Sequence, residues 1–253
     1  MSTGYEHVLA QVNHLQASVA QAIVRDRADI QRLRVLSVVN PALAALYTSL
    51  NVTQAAVYGV VNGLMGQVNV AYRASELSRS AQVVTKKRQE SDTWREKADA
   101  LSQQGYVART LRNRPVEWLG DAGDLYRDTA QVCHQGLREM SRQYVNSARF
   151  CADVAKYHTS VFKVVSMQLG NQASVIRATS APYLVFFKRS NQARMSLQLM
   201  LQLAAQAEAG ELARDGLVVM GQRMRTELND NDTLTHDFRA DPRLASSRSS
   251  TTG

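Results

Sequence analysis

Leu137, Met140, Tyr144, Ser147, Cys151, Val154, His158, Val161, Val165 and Gln168 follow one another at alternating steps of three and four. Only a helix returns side chains to one face at that interval, so this stretch must be helical along its length. The hydroxyl, imidazole and amide at Ser147, His158 and Gln168 would be costly in a two-stranded zipper and suit a bundle of several helices. The apolar members, Leu137, Met140, Tyr144, Cys151, Val154, Val161 and Val165, are the expected seam of an oligomer.

A second seam opens the chain at Val8, Val12, Leu15, Val19 and Ala22. It fails at Asp26 and resumes one step over at Ile23, Ile30 and Leu33, which reads as a phase slip. Asn40-Pro41 ends this element, because the residue before proline is pushed out of the helical region. A further helical stretch is expected from Pro41, with a weakness near Leu50-Asn51, to about Gln104. Turn residues cluster at Gly105 and from Asn113 to Asp124, where Asp124 is a candidate cap for the long seam. Pro182 opens a compact apolar patch with Tyr183, Phe186 and Phe187, followed by a last helical stretch. From Asn229 onward Ser, Thr and Asp dominate, and a flexible tail is expected.

The fold class is therefore all-α: long amphipathic helices in an extended bundle or an oligomeric helical assembly, with a disordered C-terminal tail. The organisation expected is a long-helix region over 1–110, a connection over 111–124, a helical region over 125–229 and the tail over 230–253.

A net charge of +8 and four prolines agree with long helices and an anionic neighbour, which DNA could supply through non-specific electrostatics. The cations are spread out, and the run Lys86-Lys87-Arg88 reads as a solvated helix face. Cys133 and Cys151 lie in no CxxC or Cys/His ligand pattern, so free thiols are expected. No phosphate loop, GxSxG, HExxH or dinucleotide fingerprint occurs, and His7 and His14 share a face without a third ligand. Neither catalysis nor a cofactor is expected. Trp94 and Trp118 read as packing residues. The start MSTGYEHVLAQVNHL has no leader pattern, which implies cytoplasmic synthesis.

The region from Val35 to Tyr72 carries no charge, although 21% of the chain is charged. At 100° per residue, Asn51, Gln54, Tyr58, Asn62 and Asn69 form a polar stripe opposite Val57, Val60, Val61, Leu64 and Val68. Gly59, Gly63 and Gly66 lie between, and Gly59 and Gly63 make a GxxxG step that lets helix backbones approach closely. Residues 51–72 would reach about 31 Å as a helix, enough for the hydrocarbon of a bilayer. Two environments fit: the core of a soluble bundle or oligomer, and conditional insertion into lipid. In the second, Asn51, Gln54, Asn62 and Asn69 face a wet lumen, the glycines pack helices, and Val57, Val60, Leu64 and Val68 face lipid or partners.

A basic, Ala- and Gln-rich helical chain with one glycine-speckled uncharged segment resembles the internal, or ejection, proteins of short-tailed bacteriophages. That resemblance is one of type, covers roughly residues 5–229 and rests on no specific motif. It implies packaging in a virion among other structural proteins, release with the genome, and assembly of a homo-oligomeric helical ring or tube in the host envelope, at the host membrane. A pilus-associated subunit of a conjugation or type IV secretion apparatus, and a helical nucleocapsid or coat protein, are the alternatives. Signal processing tests the first, and salt-sensitive co-purification of nucleic acid tests the second.

Overall fold

The computed structural model describes residues 4–38, 40–74, 76–113, 120–182 and 185–208. The described residues form the helices α1 (Tyr5–Ser37), α2 (Pro41–Arg73), α3 (Glu76–Arg112), α4 (Asp121–Ala178) and α5 (Lys188–Glu208), with no strand among them. The all-α class holds. The tail expected over 230–253, together with Trp118 and Tyr183, lies outside the described residues.

Local signals explain where α2 begins. Asn40 is extended, its side-chain oxygen accepts the amide of Ala42 at 3.0 Å, and Pro41 occupies the first turn, where its missing N–H costs nothing. The helix continues unbroken through Leu50-Asn51. The break in the long stretch falls instead at Ala74, whose φ is −118°. Tyr72 and Leu77 are buried on either side of it. α4 starts at Asp121, which places Asp124 inside its first turn, and it runs on through Gly170.

Two compact units divide the chain, and they cut across the sequence segments 1–110 and 125–229. Among the described residues, one comprises those up to 85 and from 156 onward, the other those from 86 to 155.

The first unit is a four-helix bundle of α1, α2, the C-terminal part of α4 and α5. The Tyr5 ring lies 5.7 Å from Phe162, and a Cβ added at Gly170 would meet Gln11, so α4 runs parallel to α1. The Tyr5 hydroxyl donates to the Tyr72 carbonyl at 2.7 Å, while Arg27 lies over the ring of Tyr58; α2 therefore runs antiparallel to α1. α5 follows the direction of α2, since Tyr58 meets Phe187 edge-on and the Tyr72 hydroxyl donates to the Met200 carbonyl at 2.7 Å. Val12, Leu15, Val61, Val68, Phe162, Val165, Leu169 and Leu197 fill the core. Burying each such side chain contributes about 1.5–3 kcal/mol before conformational entropy is charged against it.

In the second unit α3 pairs antiparallel with the N-terminal part of α4. The Ser91 hydroxyl donates to the Ala148 carbonyl at 2.9 Å, the Ser141 hydroxyl to the Ala98 carbonyl at 2.8 Å, and His134 Nδ1 to the Gly105 carbonyl at 2.9 Å. Both helices advance by seven residues between rungs. The rung residues of α3, Ser91, Ala98 and Gly105, are small, and that lets a side chain reach the main chain of the neighbouring helix. Trp94 packs on Tyr144 with 5.1 Å between rings, beside the rungs.

The α4 seam needs one correction. Leu137, Tyr144, Cys151 and Val165 are half-buried or buried within the single chain, but the alternate members of the covered line are Ser141, Ala148, Ala155, Phe162 and Leu169. Each stands one residue beyond the expected Met140, Ser147, Val154, Val161 and Gln168. Met140 is exposed, Val154 half-buried and Val161 buried beside Phe162. Three of the true positions are occupied by Ser or Ala, because backbone approach rather than apolar bulk is what the pairing needs there. A count of apolar residues passes over them.

Candidate assembly surface

Nothing in α2 before Tyr58 is buried. The helix packs into its bundle through Tyr58, Val61, Met65, Val68 and Tyr72. From 41 to 57 every side chain is exposed or half-buried, and in α1 the last buried residue is Leu33. Among the described residues, then, none between Leu33 and Tyr58 is buried, in the part of the chain that carries no charge after Arg34. Val38 is 84% exposed and Val52 75%, whereas valines of the same helices sit in the core. A chain that leaves such valines in water presents a surface for something else to cover.

The residues singled out in sequence fall as follows. Asn51 and Asn62 are exposed. Gln54 is half-buried and donates to the Asn51 side-chain oxygen at 2.5 Å; Asn69, also half-buried, accepts from Arg73 at 3.2 Å. Tyr58 interrupts their stripe by turning into the core. On the opposite side Val60 is exposed, Val57 and Leu64 are half-buried, and Val68 is fully buried. In this fold Val68 is a core residue of its own bundle and is not open to lipid or to a partner. The helix is turned from the expected orientation, so that Tyr58, Met65 and Tyr72 join Val61 and Val68 on the buried side. The tyrosine hydroxyls had placed Tyr58 on the polar side.

Gly59, Gly63 and Gly66 are exposed, and a Cβ added at any of them would meet no atom within 4 Å. Among the described residues no close approach requires a glycine there. In a helix interior each glycine costs about 0.5–1 kcal/mol relative to alanine. Val60 and Val70 flank them in the open. The result is a bare strip of backbone bordered by valines, on which another helix can lie close.

Below this surface the bundle holds a buried ionic cluster. The Asp26 carboxylate accepts the Ser190 amide at 2.8 Å, the Ser190 hydroxyl at 2.7 Å and Arg189 at 3.0 Å; Arg189 also donates to Asp29 at 2.6 Å. Phe187, just before α5, has a positive φ of 59° and is buried, a conformation that costs a non-glycine residue free energy. Asp26 offsets that cost by capping the helix that follows. The expected phase slip of α1 is thus absent. Val8, Val12, Leu15, Val19, Ala22, Asp26, Ile30 and Leu33 form one continuous buried line, and Asp26 occupies it as a satisfied anion.

Beside the cluster a pocket of about 280 Å³ is walled by Leu33, Leu36, Pro182, Val185 and Phe186, with Asp29, Arg32 and Arg189 along one side. Cys133 is exposed and Cys151 buried, and both are free. No group of three His, Cys, Asp or Glu side chains among the described residues could hold a metal ion. No helix among them is long and apolar enough to cross a membrane.

The fold defines a helical bundle joined to an antiparallel helical pair, with an uncovered uncharged surface. No family model, curated protein or solved structure matches the chain.

Proposed function

We propose that the protein is a non-enzymatic structural subunit that assembles with copies of itself into a ring or tube of helices, the glycine strip of α2 forming the contact. The observation that carries this reading is that Gly59, Gly63 and Gly66 stand in a helix interior, at a cost in helix stability, with none of the described residues packed on them. In its particular form the proposal is that of an internal, or ejection, protein of a short-tailed phage, whose assembly gives DNA a path across the host envelope. The uncharged surface and the net charge of +8 support it: the first suits packing between copies, the second suits company with a polyanion.

Light scattering across concentration, with electron microscopy of the same samples, tests the assembly. The unmodified protein is expected to form rings or tubes. Gly63→Leu should abolish them without harming the fold, since the added side chain meets only solvent in the single chain. A monomer at every concentration would overturn the proposal.

A further inference from the structure

The turn between α1 and α2 carries a second pattern that the glycine strip does not explain. Arg25, Arg27 and Arg34 are exposed along the C-terminal half of α1, Arg177 near the end of α4, and Lys188 at the start of α5. Contacts bring these elements to one end of the bundle. Arg25 lies 3.5 Å from the Arg177 carbonyl, Arg27 covers Tyr58, Tyr58 meets Phe187, and Arg189 reaches Asp26 and Asp29. The carboxylates of this end, Asp26 and Asp29, are paired with Arg189, and Asp29 also with Arg32; Arg27 lies over Tyr58 and Arg177 contacts His14, while Arg25, Arg34 and Lys188 are exposed. Continuing from that end is the uncovered stretch with Val35, Leu36, Val38, Leu46 and Val52 exposed. It contains no charge after Arg34, and no acidic residue occurs from Ile30 to Ser75.

The geometry points to an anionic lipid bilayer as the partner of this end, with residues 35–38 and 40–52 set into one leaflet and the cations at headgroup level. Apolar side chains ringed by arginine and lysine match a surface that is apolar a few ångströms down and negatively charged above. The long arginine side chains let the charge stay at the headgroups while the backbone approaches the acyl region. A second copy docked tip to tip would instead set one collar of cations against another. No described helix is long and apolar enough to cross a membrane, and the assignment is to one leaflet only. This assignment does not depend on self-assembly, since copies packed along Gly59 to Gly66 leave the preceding turns free.

Flotation with vesicles tests it, using phosphatidylglycerol mixed with phosphatidylcholine against phosphatidylcholine alone. The full chain is expected to float with the anionic vesicles at low salt and to be released as ionic strength rises. Val38→Asp with Val52→Asp should weaken binding at least tenfold while leaving the melting temperature and light-scattering mass unchanged, because both valines are exposed. Arg34→Gln and Lys188→Gln should each weaken it about fivefold. Gly63→Leu separates the two ideas: lipid binding should persist whether or not oligomers form. Failure of the unmodified chain to bind anionic vesicles at low salt would overturn the assignment. So would a pair of aspartate variants that alter the mass and not the lipid binding, which would assign the tip to a second copy.

Discussion

Ser190 donates both its backbone amide and its hydroxyl to the same carboxylate oxygen of Asp26, at 2.8 and 2.7 Å. The two residues lie on different helices, so an acid in the seam of α1 closes the first turn of α5. Its negative charge also faces the end of α5 where the helix dipole favours an anion.

Asp26→Leu restores an apolar residue to the seam and is nevertheless expected to destabilise the bundle by about 3 kcal/mol. The figure sits at the low end for a broken buried pair because Asp29 still accepts from Arg189. Adding Arg189→Met should recover most of the loss, but not the share due to the Ser190 amide. Guanidinium denaturation of both single variants and the double gives the coupling. Strict additivity would show that the pair does not act as a unit.

Tyr58 predicts an alkaline limit. Burial, and next the negative charge of Asp26, push its phenol up to about 12 from an ordinary 10. Between these values the unfolded chain releases a proton that the folded chain holds, so stability falls as pH rises from about 10 to about 12. The hydroxyl is buried with no hydrogen-bond partner among the described residues. Tyr58→Phe should therefore be neutral or stabilising by up to about 1 kcal/mol at pH 7, and should flatten part of the alkaline decline. Melting temperatures from pH 8 to about pH 11 measure both effects.

The thiols should separate cleanly. An alkylating reagent at neutral pH is expected to modify exposed Cys133 quickly and to leave Cys151 intact, since Cys151 is buried and burial pushes its thiol up. Mass spectrometry should show one adduct on the folded chain and two after denaturation. Fast double labelling would mean that the helical pair opens readily.

Helix content, the helix boundary at Asn40-Pro41 and the uncharged stretch were legible in the sequence because each rests on local chemistry or on a period. Depth was less legible. Valines occur on several sides of α2, and only packing shows that Val61 and Val68 are buried while Val52 and Val60 are not. Asp26 looked like a break in its seam because its partners Arg189 and Ser190 are far away in sequence, and no local rule joins them. Ser141, Ala148 and Ala155 escaped notice since hydrophobicity is a poor guide to positions chosen for small size. The end of α2 at Ala74 carries no proline or glycine to announce it.

Gly105→Ala and Ala98→Leu should act in opposite directions on the helical pair. A Cβ at Gly105 would lie 3.7 Å from Leu137 and 3.8 Å from His134, an ordinary contact, so alanine should gain about 0.5–1 kcal/mol from helix propensity. Ala98 is buried at the rung that accepts the Ser141 hydroxyl, and leucine there should cost about 1–3 kcal/mol. Thermal denaturation of the two variants checks the sign of each.

The rungs at Ser91, Ala98 and Gly105 have a consequence for how the two helices find their alignment. Sliding one helix along the other by seven residues, about 10 Å, would set Ser91 opposite Ala155, Ala98 opposite Ala148 and Gly105 opposite Ser141. All are small, so the displaced alignment meets no steric bar from the rungs themselves. Spacing between the axes is thus encoded repeatedly, but the rungs do not say which one is which. That choice falls to the bulky contact of Trp94 with Tyr144, the pointer on an otherwise evenly graduated scale.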